Sequence, residues 1–128
     1  MFIPEDLYYA KSHEWVRFLS DDTCLVGISD FAQAAMGDIV FINLPQAGDE
    51  AVAGEPLCDL ESVKTVADVY CPVSGAIEEV NEELDDKSEL MNTAPYEAWI
   101  AKISGVTGRE GLMDAAAYKA HCEAEADS

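Results

Sequence analysis

The chain has 128 residues, with 26 acidic against 7 basic side chains and a formal net charge of -19. That length suits one domain with a real hydrophobic core. The charge repels nucleic acid and anionic membranes, so it excludes both as partners and favours basic docking surfaces. An apolar share of 49% is ordinary for a globular protein, so the acidity does not signal disorder. A salt-rich habitat would explain it equally well.

No apolar run approaches the roughly 20 residues that span a bilayer. The opening Met1-Phe2-Ile3-Pro4-Glu5-Asp6 has neither the basic nor the apolar region of a secretory signal. Cys24, Cys58, Cys71 and Cys122 are scattered and include no C-x-x-C pair. The expectation is a cytosolic protein with reduced thiols and no metal site.

In chain order, Leu7-Tyr9 and Glu14-Leu19 read as short strands rich in aromatic and β-branched residues. A turn at Ser20-Asp22 leads to a strand over Thr23-Ile28. Ser29 is placed to cap a short helix over Asp30-Met36, with Gly37 ending it. Asp38-Leu44 is an apolar strand stopped by Pro45, followed by turns at 46–49 and 52–56. After the segment around residue 64, Cys71-Gly75 leads into a strand over Ala76-Asn81 with an acidic, wet face. Residues 82–92 are acidic and irregular or briefly helical. Ala98-Ile103 closes the sheet, 105–111 is a loop, and 112–125 reads as a C-terminal helix. On that helix Met113, Ala117 and Tyr118 form the less polar stripe, and the chain frays from Glu123 onward. Many short strands with Gly and Pro turns predict a mostly β sandwich or barrel with flanking helices.

One stretch stands apart. Lys64 is the only basic residue between Arg17 and Lys87, at the tip of Leu60-Glu61-Ser62-Val63-Lys64-Thr65-Val66-Ala67-Asp68-Val69. With a hairpin tip at 63-64, Ser62 pairs with Thr65, Leu60 with Ala67 and Cys58 with Val69, all facing the core. The other face sets Asp59 opposite Asp68 and Glu61 opposite Val66, a like-charge cost that buys an acidic collar around one cation. The tip lacks the Asn-Gly of a type I′ turn. Lys64 is either a solvated turn lysine or a modification site. Nothing beside it could desolvate it into a catalytic base.

Ser12-His13-Glu14-Trp15-Val16, Val26-Gly27-Ile28-Ser29-Asp30-Phe31-Ala32-Gln33, Gly37-Asp38-Ile39-Val40-Phe41, Glu61-Ser62-Val63-Lys64 and Pro72-Val73-Ser74-Gly75 together resemble the glycine cleavage H proteins, in order and spacing, over nearly the whole chain. The resemblance implies a barrel-sandwich hybrid of the lipoyl/biotinyl hairpin type, with a C-terminal helix, as one domain over 1-128. It implies a carrier, not an enzyme, with lipoic acid amide-linked to Lys64, and with Glu14 and Asp68 lining a cleft for the arm. Solvated surface carboxylates are the other reading of Glu14 and Asp68. The implied partners are a lipoate ligase or lipoyl transferase, glycine decarboxylase, aminomethyltransferase and dihydrolipoamide dehydrogenase, around a monomeric carrier.

Several residues depart from the family pattern. Pro95-Tyr96-Glu97-Ala98-Trp99 is a residue short and lacks a glycine, Phe31 stands where some members have histidine, and Thr65-Val66 replace smaller residues. A bulkier, more apolar floor would suit another cargo. The alternative is therefore an H-protein-like carrier of a sulfur-oxidation pathway with heterodisulfide-reductase-like partners. A biotin carrier is disfavoured, because Val63 and Thr65 rather than methionines flank the lysine. An unmodified acidic binding module is the remaining possibility. His13 reads as a polar cap on a buried edge, Trp15 and Trp99 as core aromatics, and Cys58 as buried. Cys71 lies nearer the arm. Glu78, Glu79, Glu82, Glu83, Asp85 and Asp86 form a solvated face or a docking surface for basic partners.

Overall fold

The computed structural model describes residues 1–126. Among these residues nine strands form two antiparallel sheets. The six-stranded sheet contains β1 (Tyr8–Tyr9), β2 (Glu14–Phe18), β3 (Thr23–Ile28), β5 (Glu50–Ala51), β8 (Ser74–Val80) and β9 (Ala101–Thr107), in the order β1-β2-β3-β9-β8-β5. The three-stranded sheet is β4 (Ile39–Asn43), β6 (Pro56–Ser62) and β7 (Val66–Tyr70), in the order β4-β6-β7. Four helices flank them: α1 (Asp30–Met36), α2 (Glu83–Asp86), α3 (Leu90–Thr93) and α4 (Ala115–Ala126). The expected mostly β barrel-sandwich with flanking helices and a C-terminal helix is the fold observed.

Alternation dictates the core. Cys24, Val26 and Ile28 of β3, Ile77 of β8 and Ile103 of β9 point inward with Leu60 and Val69 of the hairpin, all at most 3% exposed. Trp15 crosses beside Gly27 on the paired strand. A Cβ on Gly27 would sit 2.5 Å from the indole ring, so no larger residue fits there. A second cluster gathers Leu7, Tyr9, Trp15, Tyr96, Tyr118 and Cys122. It docks α4, whose Tyr118 stacks on Tyr9 with centroids 4.3 Å apart and planes 2° from parallel.

Some boundaries differ from expectation, each for a local reason. β9 runs past Gly105 to Thr107, because Val106 is buried and its strand pairs with β8 as far as Ser74. Residues 98–100 precede the strand, although the Ile100 N–H still reaches the Val26 carbonyl at 2.7 Å. β5 is an extra two-residue strand, pairing Glu50 with Ala76 and Ala51 with Gly75. α4 starts at Ala115, because the Asp114 carboxylate accepts the Ala117 N–H at 2.8 Å as a cap. Leu112 and Met113 lie outside it, and Met113 instead exchanges both backbone hydrogen bonds with Tyr9. The buried stripe of α4 is Tyr118 and Cys122, one turn apart, in place of Met113, Ala117 and Tyr118. The expected fraying from Glu123 is not seen as far as Ala126, and Asp127 and Ser128 lie outside the described residues.

The corner from α1 into β4 fixes the ground beneath the hairpin. Ser29 Oγ accepts the Ala32 N–H at 3.2 Å, and Gly37 ends the helix at φ +80° with its N–H on the Gln33 carbonyl. Asn92 of α3 clasps this corner. Its amide donates to Gly37 O at 2.9 Å and Gln33 Oε1 at 3.0 Å, and its oxygen accepts the Ile39 N–H at 2.8 Å. Asn92→Ala strands several of these groups, so stability should fall by about 2 kcal/mol. Urea denaturation should show a lower midpoint with an unchanged slope.

Candidate functional site

The hairpin adopts the expected register: Cys58 pairs with Val69, Asp59 with Asp68, Leu60 with Ala67 and Glu61 with Val66. A bulge between Pro56 and Cys58 lets both Leu57 and Cys58 turn inward. Asp59 and Asp68 do face one another, and Asn43 of β4 donates to Asp59 Oδ1 at 3.2 Å, which relieves the repulsion.

Serine chemistry explains a tip without Asn-Gly. Ser62 Oγ accepts the Lys64 N–H at 3.3 Å and the Thr65 N–H at 3.1 Å, while the Ser62 N–H donates to Thr65 O at 2.8 Å. The Val63 N–H is held by the Asp38 carbonyl at 3.0 Å. The side chain of Ser62 thus builds the turn locally, and neither tip residue has a left-handed φ. Lys64 is exposed, and its stem lies over Gly37: a Cβ added there would meet Lys64 Cε at 3.4 Å.

Beside Gly37 opens a cleft of about 170 Å³. Ala32, Ala35 and Met36 of α1 form one wall, and Leu60, Ala67 and Val69 of the hairpin form the opposite wall. Ser12, His13, Glu14 and Asp68 supply its polar groups. The structure therefore brings Glu14 and Asp68 together on one cleft, whose wall residue Met36 directly precedes the Gly37 under the Lys64 stem. They differ in setting. Asp68 is exposed, as a solvated carboxylate would be, whereas Glu14 is only 2% exposed. The Glu14 carboxyl accepts bonds from the Ser12 hydroxyl and, at 3.3 Å, from the Tyr70 N–H. Burial outweighs these two donors and pushes its pKa up to about 7.

Thr65 and Val66, expected to make a bulkier floor, are both exposed; Val66 pairs with Glu61 on the outer face, and Ala67 is the hairpin residue that lines the cleft. Phe31 is not in the cleft. It stacks on the His13 ring, centroids 4.5 Å apart, so the cleft's histidine comes from the turn before β2. His13 is more than a cap: its Nδ1 lies 2.8 Å from the Tyr118 hydroxyl and its Nε2 2.8 Å from Glu125. The short Pro95-Trp99 loop is pinned by its carbonyls, Pro95 O accepting from Trp15 Nε1 at 2.9 Å and Tyr96 O from Arg17 at 3.0 Å. Cys58 is buried as expected, and so is Cys71, whose thiol burial also pushes upward.

Sequence reading missed Ser62 as the builder of the turn, Gly37 as the bed of the lysine, and Asn92. The Ser-x-x-Thr spacing was a usable signal for the first. The others act across long sequence separations that no local pattern reveals.

The raised pKa of Glu14 makes a signed prediction. Its folded pKa exceeds the ordinary carboxylate value, so the contribution is full below about pH 4.5 and is lost as pH rises through about 7. Glu14→Gln should abolish this dependence and stabilise the protein at pH 8, by at most about 3 kcal/mol. Thermal unfolding of both proteins across pH 5 to 8 checks it.

Comparison with known proteins accords with this geometry. The sequence model described as Glycine cleavage H-protein matches residues 7–125. A glycine cleavage system H protein of Lachnoclostridium phytofermentans is 53% identical over 119 residues, covering 93% of this chain and 94% of that protein. A probable glycine cleavage system H protein of Pyrococcus furiosus is 54% identical over 119 residues, covering 91% and 89%. The crystal structure of a glycine cleavage system H protein from Mycobacterium marinum superposes with a TM-score of 0.86 at 37% identity, covering 92% of this chain and 97% of that one. None of these relatives supports the sulfur-oxidation alternative. The chain belongs to the glycine cleavage H-protein family, whose members are lipoyl carriers and not catalysts.

Proposed function

We propose that the chain is the lipoyl carrier of a glycine cleavage system, one domain over residues 1–128, with lipoic acid amide-linked to Lys64. The observation that carries this is the lysine itself, exposed on a braced tip with its stem laid over Gly37, beside a cleft holding a buried carboxyl. Gly37, under the stem, has a φ of +80° that glycine adopts without strain. When bound, the lipoyl group supplies a dithiolane that opens to a dithiol and carries a group through sulfur.

The chain's own residues then have plain tasks. Ser62 and the Asp38 carbonyl hold the attachment point still, so an approaching lipoate ligase or lipoyl transferase meets one fixed geometry. The apolar walls of α1 and the hairpin limit the access of water to whatever lies in the cleft. Glu14, with a pKa near neutrality, offers an anionic oxygen to an amine there; a cation alongside favours its ionised form, so docking of an ammonium releases a proton from the carboxyl. Asp68 extends the negative potential to the mouth. An aminomethyl cargo suits this pairing of carboxylates and apolar wall. With Thr65 and Val66 outside the cleft, no structural feature here favours a sulfur-pathway cargo.

The partners that follow are glycine decarboxylase, aminomethyltransferase and dihydrolipoamide dehydrogenase, drawn by basic patches to an acidic, monomeric carrier. Intact mass of the protein from its native host should show one lipoyl adduct, absent in Lys64→Arg; an unmodified native chain would overturn the proposal. Glycine-dependent loading by a pyridoxal-phosphate decarboxylase distinguishes this cargo from a sulfur species. In the loaded protein, Glu14→Gln should shorten the lifetime of the cargo about tenfold, the loss of one charge-assisted hydrogen bond. Ser62→Ala should slow ligase-catalysed lipoylation of the folded protein by several-fold, read by mass against time.

A further inference from the structure

His13, His121 and Glu125 stand together although His13 and Glu125 are 112 residues apart in sequence. Their ligand-type atoms all lie within 4.8 Å of one another. His13 Nε2 is 2.8 Å from Glu125 Oε2, and His121 Nε2 is 3.1 Å from Glu125 Oε1. His121 and Glu125 are one helical turn apart on α4, the spacing that turns two side chains toward one point. We propose that these three residues form a binding site for a divalent transition metal, Zn²⁺ by the chemistry of its donors, that fastens α4 to the turn before β2, which carries His13.

Two imidazoles and one carboxylate are a donor set that suits zinc, which takes three protein ligands and leaves a position for water. Zinc bonds of about 2.1 Å at tetrahedral angles separate neighbouring ligand atoms by roughly 3.4 Å; the 2.8 Å and 3.1 Å contacts, which run to the two different oxygens of Glu125, open toward that value, and the remaining separations already lie within 4.8 Å. The lone His13 of the sequence has thus acquired partners through folding.

The surroundings of His13 are those of a ligand held in place. Its Nδ1 faces the Tyr118 hydroxyl at 2.8 Å, and that hydroxyl lies 2.6 Å from Ser29 Oγ. Its ring is stacked on Phe31 and set by a backbone at φ +77°, so Nε2 is aimed at Glu125. With metal on Nε2, the Nδ1 proton is donated to Tyr118 and the Tyr118 proton to Ser29, a relay the distances already allow. His121 Nε2 also lies 3.0 Å from the Lys11 carbonyl, so metal binding exchanges that hydrogen bond for a coordinate bond. The strongly acidic surface raises the local concentration of any cation. The ion would add to the links these two regions already share through the Tyr118 cluster, the His13–Glu125 contact and the His121–Lys11 hydrogen bond. His13 is also a cleft residue, so the bound ion would stiffen the cleft's rim.

The test is calorimetric titration of the full chain with Zn²⁺ at pH 7.5, with Mg²⁺ in parallel. One Zn²⁺ should bind, at least about a hundredfold more tightly than Mg²⁺. His121→Ala and Glu125→Gln, both at the outer edge of α4, should each weaken Zn²⁺ binding by about 10- to 100-fold while leaving the circular dichroism spectrum intact. His13→Asn, which tolerates the left-handed backbone, should do the same. Zn²⁺ should raise the Tm of the natural chain by about 10 °C at a hundredfold excess over Kd, and should not raise that of His121→Ala. The proposal is overturned if the variants bind as the natural chain does, if Mg²⁺ competes equally, or if the Co²⁺ form shows thiolate charge-transfer bands, which would place the ion on a cysteine.

Discussion

A single buried carboxyl ties the two sheets together at the point where the cleft opens. Glu14 leaves β2 of the six-stranded sheet and accepts the N–H of Tyr70 at the end of β7 in the three-stranded one. A carboxyl in so dry a place is costly in its charged form, and the two hydrogen bonds it accepts do not restore what water would give. The fold accepts this beside the cleft, where strain and misfit are expected to serve a purpose. Everything near it is arranged around that group: the Ala10–His13 turn that presents it, the Trp15 anchor one residue on, and the α1 wall that keeps water away.

The hairpin solves a second problem, which is to be exposed without being loose. Its outer face carries acidic side chains, and its tip presents the exposed Lys64. Rigidity comes from the inside. Leu60 and Val69 anchor the strands in the core, Ser62 ties the turn to itself, the Asp38 carbonyl just before β4 holds the Val63 N–H, and Asn92 of α3 braces the corner beneath. A tip held in this way loses little further freedom on docking, so the partners' binding energy is not spent on ordering it.

The strands, the α1 cap and the hairpin register were legible because they rest on local rules: period-two alternation, a serine before a helix, a glycine after it. The pairing of Leu60 with Ala67 followed from two adjacent tip residues alone. What escaped was settled by distance along the chain. Gly105 reads as a breaker, yet Val106 beyond it is buried against β8 and carries the strand onward. Met113 reads as helical, yet Tyr9 claims its backbone. At the site, the place of Lys64 on an exposed hairpin tip could be inferred from the register, whereas the lysine's bed on Gly37 and the burial of Glu14 could not. An acidic residue in an acidic chain reads as surface, and only the packing of both sheets shows otherwise.

The four thiols are all buried, and burial holds the Cys24 pKa up at about 12 and moves Cys58, Cys71 and Cys122 the same way. Thiolate is the species that attacks disulfides, and these cysteines form almost none near neutral pH. In a lipoyl carrier, a reactive thiol would risk capturing the cyclic disulfide of the arm in a mixed disulfide. Cys58 and Cys71, the two nearest the hairpin in sequence, are placed so that they stay chemical bystanders.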